Sequence, residues 1–162
     1  MATNYKLQTT NCSRGFTAIE ILIVVFILGL LSAIIISSFS AFRKQSLLST
    51  ETQEIITTIN KARLSSMSSK SDQQYGVHLQ STKIVLFQGT TYATSSSSNE
   101  THIFDPLVTL GTITINGGGA DIVFQKITGG TTQYATTTLS VVGSSTASST
   151  ILIRGTGVVT VK

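Results

Sequence analysis

The sequence is poor in cysteine, proline and charge. Cys12 is the only cysteine in 162 residues, so no intramolecular disulfide can close a loop. Pro106 is the only proline, which leaves the first two thirds of the chain free of proline breaks. Charged residues make up 11% of the chain, against roughly 25% in ordinary soluble domains. Ser, Thr, Ile and Val fill much of that gap and favour strands outside the one long apolar run. The length supports one modest domain, part of it taken up by that run.

Sites for chemistry are also scarce. His78 and His102 stand apart, with no cysteine and no His-x-x-x-His spacing to make a zinc site. Asp105 and Asp121 have no acidic neighbours at calcium-loop spacing. No serine sits in a Gly-x-Ser-x-Gly elbow. The glycines at Gly117 and Gly129 fall between strand-like runs, where turns explain them better than phosphate binding. Asn99-Glu100-Thr101 matches the glycosylation sequon, a short and unspecific pattern. No cofactor and no catalytic group is expected.

The formal net charge is +4, but it is spread thinly. Lys6 and Arg14 lie near the start, and Arg43, Lys44, Lys61, Arg63 and Lys70 follow in a helical stretch. From Ser71 onward Lys83, Lys126, Arg154 and Lys162 balance Asp72, Glu100, Asp105 and Asp121. A neutral C-terminal region gives no phosphate-tracking patch, so a nucleic-acid partner is disfavoured.

What is present is an apolar run. Between Ile21 and Ile36 only Gly29 and Ser32 are not apolar. Residues 16–39 as a helix reach about 36 Å, enough to cross a bilayer core of about 30 Å. Glu20 is the anomaly within it, because a carboxylate at the bilayer centre costs about 2.5–3.5 kcal/mol on insertion scales. Such a group asks for a cation. A chain beginning at Phe16 has its α-amino group one helical turn away, and in an assembly a neighbour's amine serves equally.

Arg14-Gly15-Phe16-Thr17-Ala18-Ile19-Glu20-Ile21-Leu22 resembles the processing signal of type IV pilins and type II secretion pseudopilins. The resemblance covers residues 14–40 and implies cleavage between Gly15 and Phe16 by a prepilin peptidase, N-methylation of Phe16, and Glu20 as the assembly carboxylate. It also implies a single pass through the bacterial cytoplasmic membrane, N-terminus inside. The implied partners are other pilin or pseudopilin subunits, the peptidase/methyltransferase and an inner-membrane assembly platform. The protein is then a substrate of enzymes and not an enzyme. One departure is Ser37-Ser38, where many members carry a proline that kinks or melts the helix. The alternatives are a secretory signal peptide cut after Ser40, against which stand the length of the run and Glu20, and a plain membrane anchor.

Residues 40–69 lack Pro and Gly, so the helix can continue. Leu48, Ile55, Ile59 and Ala62 fall on one face, flanked by Ile56 and Met67, while Gln45, Glu54, Lys61 and Ser68 fall opposite. Beyond Gln73, strand-like runs cover 75–80, 83–88, 112–115, 121–127, 133–142, 149–154 and 158–161. Segment 121–127 is expected to pair with 112–115 across the Asn116-Gly117-Gly118-Gly119 turn. The Ser/Thr-rich tracts 90–101 and 143–150 read as loops.

The expected architecture is α+β: a long N-terminal helix packed on a head of two small antiparallel sheets. The expected divisions are a leader 1–15, a membrane or filament-core helix 16–39, an amphipathic continuation 40–70 and a β-rich head 71–162. The element order, with Tyr75-Gly76-Val77 opening a strand and a closing hairpin near Ile153 and Gly155, resembles H-type minor pseudopilins and related minor pilins. Minor pilins of this kind raise a second function, ligand or DNA capture by the head, with Arg154 and Lys162 as the candidate phosphate contacts. An unrelated secreted or anchored β-domain is the third.

Overall fold

The computed structural model describes residues 15–143 and 147–162, with the side chains of 34–38 outside the description. The expected leader with Lys6, Cys12 and Arg14, the side chains of Ser37 and Ser38, and the centre of the 143–150 tract therefore lie outside the described residues. The chain divides into two compact units, Met1–Ser40 and Ala41–Lys162.

Helix α1 (Ala18–Met67) has residues in both. Thr17 starts it: its Oγ1 accepts the Glu20 N–H at 3.3 Å, which satisfies one of the free amides of the first turn. Past Met67 the backbone turns left-handed at Ser69, Ser71 and Asp72, which ends the helix. In the first unit, every described residue of 18–33 is exposed.

In the second unit the helix buries Leu48, Glu51, Thr52, Ile55, Ile59, Ala62 and Ser66, a stripe at helical spacing. The four apolar members are those expected from the sequence. Burying each isoleucine is worth roughly 1.5–3 kcal/mol as an upper estimate. Ser66 serves a different purpose: its hydroxyl accepts the Tyr75 N–H at 2.8 Å and meets the Tyr75 carbonyl at 3.2 Å. That pair of bonds fixes where the first strand leaves the helix.

Eight strands follow: β1 (Tyr75–Gln80), β2 (Lys83–Gln88), β3 (Glu100–Ile103), β4 (Val108–Ile115), β5 (Asp121–Phe124), β6 (Ala135–Val141), β7 (Ser148–Ile153) and β8 (Val159–Val161). They form two antiparallel four-stranded sheets, β3-β2-β1-β5 and β4-β6-β7-β8. The core between helix and sheets includes Ile55, Ile59, Val77, Ile122, Leu139 and Ile153. The architecture is the expected α+β one.

Two expectations are corrected. Segment 121–127 does not pair with 112–115: β5 pairs with β1, and β4 pairs with β6. The turn between them is not a tight hairpin. Gly117, Gly118 and Gly119 all hold positive φ, and Asn116 N–H bonds to Tyr134 O, so the chain crosses from one sheet to the other. The second correction concerns the 90–101 tract, whose last two residues are strand. Glu100 and Thr101 open β3, pairing with Leu86 and Val85 at the edge of the first sheet. An edge strand with exposed Glu and Thr has the composition of a loop. The start of β7 likewise takes in residues 148–150 of the other tract.

Candidate functional site

The expected assembly site lies at the start of α1. Phe16 precedes the helix and is 79% exposed, and Gly15 has open space around it. Glu20 stands in the first turn, where the positive end of the helix dipole favours an anion. Its amide is used by Thr17, while among the described residues its carboxylate takes no hydrogen bond. Phe16 and Glu20 border one hollow with Ile21 and Val24, at the start of a helix where Ile21, Leu22 and Val24 are all exposed. Among the described residues no helix is long and apolar enough to cross a membrane. The stretch of the expected span whose side chains are described, residues 18–33, is about 24 Å long at 1.5 Å per residue.

In the head, the two histidines are not isolated. His78 Nδ1 lies 2.5 Å from Asp121 Oδ1, and its ring stacks on Tyr92 at 4.0 Å with planes 12° apart. Asp121 Oδ2 also accepts the Tyr92 N–H at 3.4 Å, so the pair pins the start of the 90–99 loop to the sheet. His102 Nε2 lies 2.8 Å from Glu51 Oε2, and Glu51 Oε1 accepts the Asp105 N–H at 3.1 Å. Glu51, buried on the helix stripe, thereby holds β3 and the loop after it. Sequence reading missed both pairs because the partners are 43 and 51 residues apart. The available signal was Glu51 itself, a carboxylate in register with Leu48 and Ile55.

These groups pair with each other. Among the described residues no three His, Cys, Asp or Glu side chains gather to hold a metal ion. Two further ion pairs lie at the surface, Lys61–Glu100 and Lys126–Asp72. The hydrogen bond from Lys126, and then its charge, hold the Asp72 carboxyl below its ordinary range.

Glycines set the other close contacts. Gly129 and Gly157 hold positive φ, and a Cβ on Gly157 would fall 1.9 Å from the Gly129 carbonyl. Arg63 Nε donates to that same carbonyl at 3.2 Å, so the helix end, the 125–130 loop and the β7–β8 turn meet at one point.

No protein-family model matches the sequence, and no curated protein matches it. Solved structures do resemble it. The type IV minor pilin FimU of Pseudomonas aeruginosa (strain PAO1) matches over 71% of this chain and 92% of its own, at TM-score 0.54 and 12% identity in one crystal form. A second crystal form of FimU matches over 75% of this chain and 92% of its own, at TM-score 0.56 and 12% identity. The minor pseudopilin EpsH of the Vibrio cholerae Type 2 Secretion System matches over 71% of this chain and 95% of its own, at TM-score 0.54 and 10% identity. At such identities the likeness is one of fold: the chain has the α+β architecture of minor pilins and pseudopilins.

Proposed function

We propose that the chain is a structural subunit, of the minor H-type kind, of a type II secretion pseudopilus or type IV pilus. The observation that carries this reading is a head of pilin-like fold on a chain whose residues 18–33 are helical, apolar and exposed on every side, with the single carboxylate Glu20. A helix apolar all round needs lipid or other apolar helices about it. A membrane supplies the first and a filament core the second.

In this reading residues 1–15 are the leader, cut after Gly15, and Phe16 becomes an N-methylated terminus. Residues 16–39 cross the cytoplasmic membrane and then enter the filament, handed over by an inner-membrane assembly platform. Residues 40–70 carry the head 71–162 outside. The full 16–39 run reaches about 36 Å, against a bilayer core of about 30 Å. Glu20 pairs with the N-terminal amine of a neighbouring subunit, and because a carboxylate among apolar helices is tolerated only with a partner, the pair sets axial register.

Glu20→Ala and Glu20→Gln test this in cells carrying the assembly machinery. Both variants lose the leader normally, stay in the membrane, and enter sheared filaments at least tenfold less than the parent, as breaking a buried ion pair costs about 3–5 kcal/mol. Normal incorporation of Glu20→Ala would show the register mechanism to be wrong.

A further inference from the structure

Beyond the expected leader the chain holds one sulfur atom, that of Met67: the other methionine is Met1 and the one cysteine is Cys12. Met67 is the last residue of α1 and is 36% exposed, which opens it to small solutes. Its thioether lies against Gly129, which is buried: a Cβ on Gly129 would fall 2.6 Å from Met67 Cγ and 2.7 Å from Sδ. Glycine at that point is a seat for the methionine as well as a left-handed turn at φ 64.

The 125–130 loop that carries Gly129 closes the end of the helix. The last carbonyls of a helix have no partner within it. Here Ser66 O accepts the Ser69 N–H at 3.0 Å and the Ile127 N–H at 3.3 Å, and Ser66 is the residue whose hydroxyl fixes the start of β1. Inside the loop, Gln125 N–H bonds to Gly130 O at 2.8 Å and Gly129 N–H to Gln125 O at 3.0 Å. Toward the helix end the loop is held by the Ile127 bond, the Arg63 bond to Gly129 O at 3.2 Å, the Lys126–Asp72 pair at 2.8 Å and the Met67 seat. Ile127 itself opposes these ties. It sits at φ 67, a conformation that its branched side chain disfavours, while that side chain is 76% exposed and gains no burial there. The loop is thus held under strain, and among its ties the thioether is the group that an oxidant alters.

We propose that Met67 is an oxidation site at which a hydroperoxide unlatches the 125–130 loop. A sulfur lone pair attacks one peroxide oxygen, and the S–O bond forms as the O–O bond breaks. The sulfur gives up two electrons and becomes the sulfoxide, while hydrogen peroxide is reduced to water. The sulfoxide is polar and carries an added oxygen, so it leaves the seat on Gly129. Ile127 then relaxes out of the left-handed region, its N–H leaves Ser66 O, and the last turn of α1 frays. Methionine sulfoxide reductases reverse the change, so the latch can be reset. It lies wholly within Ala41–Lys162 and works whether or not the chain is cut after Gly15.

The test is peroxide treatment of the full-length chain in detergent, read by peptide mass and by amide hydrogen exchange. Hydrogen peroxide adds one oxygen to the peptide holding Met67 in the folded protein, resolved from any added at Met1. Exchange at Ile127 and Gly129 then rises about tenfold, as expected for the loss of about one or two buried methylene contacts, while β6 exchanges as before. Treatment with the reductases restores the slow rate. Met67→Leu keeps slow exchange before and after peroxide, and Met67→Gln shows the faster exchange without it. Unchanged exchange, whether in the oxidised parent or in Met67→Gln, overturns the latch. So does oxidation of Met67 only after the head is unfolded. A faster loop in peroxide-treated Met67→Leu would place the sensitive group elsewhere and contradict the assignment.

Discussion

The two halves of α1 are both helical and both rich in Ile and Leu, yet they are written for different surroundings. Residues 18–33 have apolar side chains on all sides and none is buried. From Leu48 to Ser66 the apolar positions narrow to one stripe, and Ile55 and Ile59 lose all exposure to the sheets. The contrast separates helix formation from helix burial. The C-terminal half finds its partner within its own unit, whereas among the described residues the side chains of 18–33 are all exposed.

The sharpest way to break that comparison is to shave both halves. Ile59→Ala should destabilise the head by about 2–5 kcal/mol, from lost transfer energy and the cavity left behind. Ile23→Ala, at a half-exposed position, should move head stability by less than about 0.5 kcal/mol. Urea unfolding of the full chain in detergent, followed by tyrosine fluorescence, reads both. Equal effects would mean that the N-terminal half is packed on the chain after all. Gly157→Ala comes next: at φ 77 with a carbonyl 1.9 Å from the new Cβ, it should cost about 2 kcal/mol or more by the same measurement.

Glu51→Ala sharpens the account of the stripe. It strips partners from His102 and the Asp105 N–H, and should cost about 1–3 kcal/mol, with faster amide exchange at Asp105. The smallest effect belongs to Asp72. Its folded carboxyl titrates below the unfolded one, so its pair with Lys126 contributes fully above the ordinary pKa of 3.8 and is lost as pH falls through the lower folded value. Asp72→Asn should therefore flatten the stability profile only between the lowered folded value and 3.8, and only slightly, because the carboxylate is fully exposed.

The helical stripe and most strands were legible because each is a local pattern: Leu48, Ile55, Ile59 and Ala62 repeat at helical spacing, and β1 and β2 alternate about a two-residue turn. What escaped depends on distant partners. Nothing local tells Asp121 to join β1 beyond β4, and nothing in Glu100-Thr101 distinguishes a polar edge strand from a loop. The histidine–carboxylate pairs escaped for the same reason. For the candidate site, Glu20 stands out in the sequence as one acid in an apolar run and Phe16 only through the family resemblance, while the structure adds Thr17 as the residue that occupies the Glu20 amide.

The central claim is that this chain is processed and assembled as a pilin-type subunit. Its most direct test is the N-terminal sequence and mass of protein purified from membranes of cells with an active prepilin peptidase. The account predicts a chain that begins at N-methylated Phe16. A chain beginning at Ala41 would make it a secreted β-domain, and an intact Met1 would leave only a membrane anchor; either result contradicts the account.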